Sequence, residues 1–155
     1  MSEEVVLVSA CLLGEPCRYD GAAKASPRVL ELLRADNPRA SVAVVPICPE
    51  AAGGLGIPRP PVELRGCAGA EVLAGRAQAL TKDDSRDVTP AFLQGAAFAV
   101  AAAERFGARR AILKERSPSC GSRKVWVDGE LREGEGIACA ALRAAGVHVQ
   151  SDEEI

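Results

Sequence analysis

Cysteine, carboxylate and serine side chains stand at the ends of apolar runs in this chain, where loops begin. In "VSACLLGEPCRYDG" (residues 8–21) the run Val5–Ser9 delivers the chain to Cys11. The run Val42–Ile47 ends at Cys48, and Ala111–Leu113 leads into the "RSPSCG" loop that holds Cys120. A cysteine kept for packing more often sits inside such a run. Loop-shaping residues flank all three: Gly14 after Cys11, Pro49 after Cys48, Pro118 and Gly121 around Cys120. Thiolates that meet in one pocket make a ready metal site. Structural zinc wants four ligands and usually brings C-x-x-C pairs, and none occurs here. His148 stands alone on the last apolar run and reads as packed or exposed rather than as a ligand. An iron–sulfur cluster also normally takes four cysteines. Three would leave one iron open, and an open Lewis-acidic position is what an enzyme needs. The plain alternative is three unrelated reduced thiols at loop starts.

The other thiols rank lower. Cys139 lies in an Ala-rich helix and reads as core filler, and Cys67 in the "RGCAG" turn as solvent-facing. Cys17 is either a fourth ligand, a sulfur-accepting thiol or a packed residue; the reading adopted is a non-ligand role near the pocket.

Acid–base groups lie close in sequence to these thiols. Glu50 follows Cys48 by two residues, so its carboxylate reaches the same pocket and suits a general base; the alternative is an ion pair with an arginine such as Arg59. Ser117 suits orienting or protonating a substrate, or else bonds nearby loop backbone, and Ser119 is a close rival for the role. From Arg105 to Lys124 the chain carries seven cations against one anion, Glu115. That stretch is either a solvated basic face or an anion site. Arg18, Arg59, Lys114, Arg116 and Arg123 are the candidates for an anionic substrate group, arginine offering the planar fork that lysine lacks. The glycines of "GGLG", Gly54 among them, either let backbone N–H groups approach a ligand or merely allow tight turns.

The elements that must position these residues follow from hydrophobic spacing. With 155 residues and 48% hydrophobic content the chain is expected to form one domain, 1–155, with a real core. Aromatics are only 3%, so that core is built from Ala, Val and Leu. A net charge of −2 gives no global pull toward nucleic acid or anionic membrane. The acidic start "MSEEVVLVSA" has too short an apolar run for a signal peptide, and no stretch approaches the ~18 apolar residues of a membrane span. A cytoplasmic location is expected. There thiols stay reduced and suggest metal binding or catalysis over crosslinks.

"SPRVLELLRAD" predicts a helix with Ser26 as its cap, Pro27 in the first position and Pro38 beyond its end. "CPEAAGGLGIPRPP" predicts a shaped loop, and "VELRGCAGAEVL" a small antiparallel hairpin. "DVTPAFLQGAAFAVAAAERFG" predicts the clearest helix, capped by Thr89, begun by Pro90 and ended by Gly107. Its buried face would carry Phe92, Ala96, Ala99, Ala103 and Phe106. "KVWVDGELRE" predicts a hairpin turning at Asp128–Gly129. "GEGIACAALRAAG" predicts a last helix, and "VHVQ" a last strand. Strands alternating with helices imply an α/β fold, a Rossmann-like, mostly parallel sheet with helices on both faces plus small antiparallel hairpins. Right-handed crossovers set the parallel strands' C-terminal ends along one edge, where ligands bind. Cys11, Cys48 and Cys120 would then converge there.

"SACLLGEPCRYDG", "CPEAAGGLGIPRPP", "RDVTPAFLQGA" and "KERSPSCGS" resemble the bacterial thiouracil desulfidase family, from about Val8 to the end of the last helix. The resemblance implies a [4Fe–4S] cluster held by Cys11, Cys48 and Cys120, with Glu50 as catalytic acid/base and Ser117 as catalytic serine. It implies removal of sulfur from a thiolated uracil base or nucleotide, of the thiouracil or 4-thiouridine monophosphate class, without net redox chemistry. The products would be the oxo base and hydrosulfide. Some members carry a further C-terminal domain, and its absence here sets the expectation toward a small-molecule partner and away from large RNA. The rivals from other classes are a non-catalytic iron–sulfur or zinc-containing nucleotide-binding module, and a thiol redox protein using Cys11 and Cys17.

Overall fold

Parallel strands buried on both faces need unbroken apolar runs, and Val6, Leu7 and Val8 are all fully buried. The computed structural model describes residues 4–35 and 42–155; the expected helix stop at Pro38 lies outside the described residues. In chain order the elements are β1 Glu4–Ser9, a 3-10 turn Ala10–Leu13, α1 Pro27–Ala35, β2 Val42–Ile47, α2 Pro49–Ala52, β3 Val62–Arg65, α3 Gly69–Leu73, β4 Gln78–Thr81, α4 Thr89–Phe106, β5 Arg110–Leu113, β6 Lys124–Val127, β7 Glu130–Glu133, α5 Ile137–Ala144 and β8 His148–Ser151. No described helix is long and apolar enough to cross a membrane.

The main sheet is parallel throughout, in the order β2-β1-β5-β8. Alternation along β1 sends Leu7 into the larger core, with Phe92, Ala96 and Ala99 of α4 and Leu142 of α5. It sends Val6 and Val8 to the opposite face, against Leu12 and Val29. Helices therefore cover both faces, as the strand–helix alternation implies. Ser26 caps α1 as expected, its Oγ accepting the Val29 N–H at 3.2 Å.

A second sheet, β4-β3-β6-β7, joins two antiparallel hairpins through one parallel pairing, Leu64 to Val127. The β6–β7 turn falls at Asp128–Gly129, where φ is +51 and +81°, the left-handed pair that a two-residue hairpin requires.

Four local expectations are corrected. "VELRGCAGAEVL" is not a hairpin. Only its first half is a strand; Gly69 and Val72 are buried at helical spacing within α3, and the strand that pairs with β3 is β4. "CPEAA" opens as the short helix α2, with Pro49 in its first turn, where a missing N–H costs nothing. Thr89 does not cap α4. It is the helix's first residue, and its hydroxyl accepts the Ala79 N–H at 2.9 Å, tying the helix to β4. Phe106 is 48% exposed. The chain turns at Gly107, φ +69°, and Ala108, 6% exposed, takes the core position instead.

Helices α2 and α4 meet backbone to backbone. A Cβ at Gly95 would stand 2.1 Å from the Pro49 carbonyl oxygen, and one at Gly53 would stand 2.0 Å from that of Ala91. Gly95→Ala is therefore expected to force α2 off α4 at a cost of about 1–3 kcal/mol, typical of overpacking. The thermal midpoint should drop by roughly 2–4 °C per kcal/mol for a chain of this size. An unchanged midpoint would mean that α2 is not seated on α4.

Candidate active site

The C-terminal ends of β1, β2 and β5 open onto a cavity of about 390 Å³. Cys11 enters it from the 3-10 turn after β1, Cys48 from between β2 and α2, and Cys120 from the loop after β5. The segment behind Cys11 is pinned by backbone: Lys24 N–H donates to the Cys11 carbonyl at 3.0 Å, and Ser26 N–H to that of Leu12 at 2.9 Å. Cys17 is a buried fourth thiol in the same wall. Its carbonyl accepts from the Cys48 Sγ at 3.6 Å and from Arg59 at 3.0 Å.

Glu50 lies on α2, facing the cavity. Its Oε1 accepts from Arg59 Nε at 3.0 Å, and its Oε2 from Ser119 Oγ at 2.9 Å. Ser117 Oγ stands 3.5 Å from Oε2 and 3.0 Å from Ser119 Oγ. It also accepts the N–H groups of Ser119 and Cys120, at 3.2 and 3.0 Å. Of the two serines, Ser119 makes the close contact to the carboxylate, while Ser117 braces its own loop. The three groups form one continuous hydrogen-bonded chain beside the thiols.

The basic candidates separate. Arg59 spends its guanidinium inside the protein, on Glu50, on the Gly56 carbonyl at 3.2 Å and on the Cys17 carbonyl; its side chain is 6% exposed. It is an internal clamp, not an open fork for a substrate anion. Arg116 borders the cavity but pairs with Glu153 at 2.6 Å. Arg18 also borders it, 4.0 Å from Asp20 and over the Tyr19 ring. Arg123 is exposed and outside the lining. Gly54 is outside it too, in a turn with φ +91°, which fits the tight-turn alternative. Lys114 lines the cavity, its Nζ donating to the Glu115 carbonyl at 3.2 Å.

Sequence reasoning missed Lys24, Lys82, Tyr19 and Trp126, all of which border the cavity. Lys82 lies over the Trp126 ring, 5.0 Å from its centroid. Tyr19 and Trp126 are the single tyrosine and tryptophan of the chain, and that scarcity was the available signal. Lys82 had none, because it reaches the mouth only through the second sheet.

Burial pushes the Cys11 thiol up to about 11, with Cys17 adding to the rise and Lys114 opposing it. Burial pushes Cys120 and Cys139 up to about 12. Cys17 is raised too, by burial and then by neighbouring Cys48. Unmetallated, these thiols hold their protons, and a bound metal would displace them. Among the described residues no three His, Cys, Asp or Glu side chains gather closely enough for a single metal ion. Cys11, Cys48 and Cys120 instead stand around a cavity, a soft donor set with room for a multi-iron cluster. Cys139 is fully buried in the main core, and Cys67 and His148 are exposed.

These raised values set thiol reactivity in the cofactor-free protein. At pH 8 the thiolate fraction is on the order of 10⁻³ for Cys11 and 10⁻⁴ for Cys120 and Cys139, and thiolate is the reacting species. Iodoacetamide should label exposed Cys67 first, the other three following only on denaturation. Peptide mass mapping reads the order, and early labelling of Cys120 would contradict the buried site.

The chain is similar to known proteins over nearly its whole length. The model of the 2-thiouracil desulfurase family matches residues 6–154. The uncharacterized protein YbbK of Bacillus subtilis (strain 168) is 40% identical over 154 residues, 97% of each chain. The solved structure of the [4Fe-4S]-dependent thiouracil desulfidase TudS is similar with a TM-score of 0.78 and 38% identity, covering 99% of this chain and 93% of that one. With nearly its whole length matched, the chain belongs to the 2-thiouracil desulfurase family.

Proposed function

We propose that this chain is a thiouracil desulfidase, a single domain over residues 1–155 working in the cytoplasm, that hydrolyses the C–S bond of a thiolated uracil base or nucleotide. The observation that carries the reading is the carboxylate of Glu50, hydrogen-bonded to Ser119 in the cavity that Cys11, Cys48 and Cys120 border. The family match and the similarity to TudS support it. The overall change is thiocarbonyl plus water to carbonyl plus hydrosulfide, with no electrons gained or lost.

Cys11, Cys48 and Cys120 are the residues that would hold a [4Fe–4S] cluster. Such a cluster, with three thiolate ligands, supplies a Lewis-acidic iron suited to a soft thiocarbonyl sulfur. Glu50 takes the proton from the water that attacks the adjacent carbon. Arg59 fixes Oε1 and leaves Oε2 turned toward the serines. Ser119 carries protons between Glu50 and the substrate ring, and Ser117 holds Ser119 in place. Lys24, Lys82 and Lys114 border the same cavity and meet no carboxylate among the described residues. They replace the arginines as the cations for a substrate phosphate. A reducing compartment suits the buried free thiols, and a cavity of about 390 Å³ suits a small molecule over large RNA.

Ligation and catalysis can be tested on the same preparations. Cys11→Ser, Cys48→Ser and Cys120→Ser should each lose most of the iron taken up on anaerobic reconstitution, whereas Cys67→Ser and Cys139→Ala should keep it. Full loss in Cys17→Ser would overturn three-thiol ligation. Glu50→Gln should keep its iron and lose turnover roughly 10²–10⁴-fold, the usual worth of a positioned general base. Hydrosulfide release at the wild-type rate would remove Glu50 from the mechanism. A thiouridine monophosphate should show a higher kcat/KM than the free thiobase, with the advantage shrinking as salt rises. Equal values at all salt concentrations would remove the lysines from substrate binding.

A further inference from the structure

Five residues before Cys120 a carboxylate is buried with no cation against it among the described residues. Glu115 is 3% exposed. Its neighbours turn elsewhere: Arg116 pairs with Glu153, and Lys114 Nζ reaches only the Glu115 backbone carbonyl. The carboxylate instead faces backbone. Glu115 Oε1 accepts the N–H groups of Arg116, Ser122, Arg123 and Lys124, at 3.3, 3.1, 3.0 and 3.1 Å. The Ser122 hydroxyl lies 3.5 Å from Oε2, and the Ser151 side chain helps to favour the ionised carboxyl. A neutral carbonyl oxygen has only two lone pairs, so four converging N–H dipoles are matched to an ionised oxygen. These backbone bonds hold the carboxyl below the usual range although burial opposes it.

The amides gathered on Glu115 belong to the two ends of one loop, and Ser117, Ser119 and Cys120 lie between them. From outside, the loop is held by α5: Ile137 N–H donates to the Pro118 carbonyl at 2.9 Å and Cys139 N–H to the Ser119 carbonyl at 3.0 Å. From the C-terminal segment, Asp152 Oδ1 accepts the Glu115 N–H at 2.8 Å. What lies inside the loop is one charge.

We propose that Glu115 is the positioning residue of this loop: its charge draws the two loop ends together and so sets Ser117 and Ser119 against Glu50, and Cys120 among the other thiols. The inference rests on the reading of those three residues as the working site. It makes no claim that Glu115 touches substrate.

The test is Glu115→Gln in the full chain, which keeps the shape and removes the charge. In the cofactor-free protein, amide hydrogen exchange at Arg116, Ser122, Arg123 and Lys124 should accelerate by about tenfold or more, the equivalent of one charge-assisted bond. Amides of β1 and α4 should keep their wild-type rates. In the reconstituted protein kcat for a thiouridine monophosphate should fall by about tenfold or more while KM changes less than about twofold, since Lys24 and Lys82 come from other elements. Unchanged loop exchange, exchange rising equally through the whole chain, or a wild-type kcat would each overturn the proposal. If the Gln variant does not accumulate folded, Glu115→Asp, which keeps the charge one methylene short, is read for the same confined pattern and the same overturning results. A wild-type protein that desulfurises nothing would sink the proposed function, and the exchange pattern and the iron content of the variant would still decide the role of Glu115.

Discussion

The contact of α2 with α4, made by main chain on main chain, is the constraint from which the site follows. The Pro49 carbonyl lies over Gly95, and the Ala91 carbonyl over Gly53, with no room for a side chain at either glycine. Two such contacts fix a helix of only four residues, far too short to hold itself in water. They fix Cys48 at its entry and Glu50 in its first turn. The Arg59 side chain then closes the system, reaching from the following loop to Glu50 and to the Cys17 carbonyl. Backbone packing can place a carboxylate with little scatter because neither partner has a rotamer to change. Side-chain packing would have left α2 free to slide with its neighbours.

Electrostatics divides the basic residues by what they already touch. Arginine's five donors in a fixed fork favour carboxylates and carbonyls at buried positions, and in this protein Arg59 is used that way. Arg116 finds Glu153 on the last segment, and Arg110 meets Glu4 and Gln150 across the sheet. The lysines at the cavity meet no acid among the described residues. Each reaches it from a different part of the chain: Lys24 before α1, Lys82 after β4, Lys114 after β5. A basic run in sequence is thus a poor map of the basic surface in space, since most of the cations between Arg105 and Lys124 are engaged or point elsewhere.

The main sheet was legible because its strands are continuous apolar runs: β1 and β5 are central and largely buried, and β2, half-buried at the edge, keeps the same pattern. Val5–Val8, Val42–Ile47 and Ala111–Leu113 needed no knowledge of pairing. Their shared direction then brought Cys11, Cys48 and Cys120 to one edge. Of the second sheet, the β6–β7 hairpin and the strand β3 were legible, but not how they join. Its two strand pairs join where Leu64 pairs with Val127, across more than sixty residues, and no local pattern encodes that. The same long reach hid Lys82 and Trp126. The partner of Arg59 stood among the alternatives for Glu50, but spacing could not decide between substrate and carboxylate. That choice depends on α2 turning Glu50 back toward the loop. Glu115 read as the odd anion in a basic stretch, because its partners are amides, and amides have no signature in sequence.

The roles proposed for Glu50 and Glu115 differ by the company each carboxylate keeps. A carboxylate offers about four lone-pair sites. Glu115 also borders the cavity, but it is 3% exposed and its Oε1 carries four backbone N–H groups, so it is suited to holding structure. Glu50 has one guanidinium N–H on Oε1 and one close hydroxyl on Oε2, and it borders the cavity. Its Oε2 keeps acceptor capacity facing the space where a substrate would lie, and its partner Ser119 both donates and accepts. Arg59 satisfies the carboxylate without covering it. A second arginine there would stabilise the charge further and, by filling the remaining lone pairs, remove the basicity that proton transfer needs. Incomplete hydrogen bonding is what would let Glu50 accept a proton in the role proposed for it, and what sets it apart from Glu115.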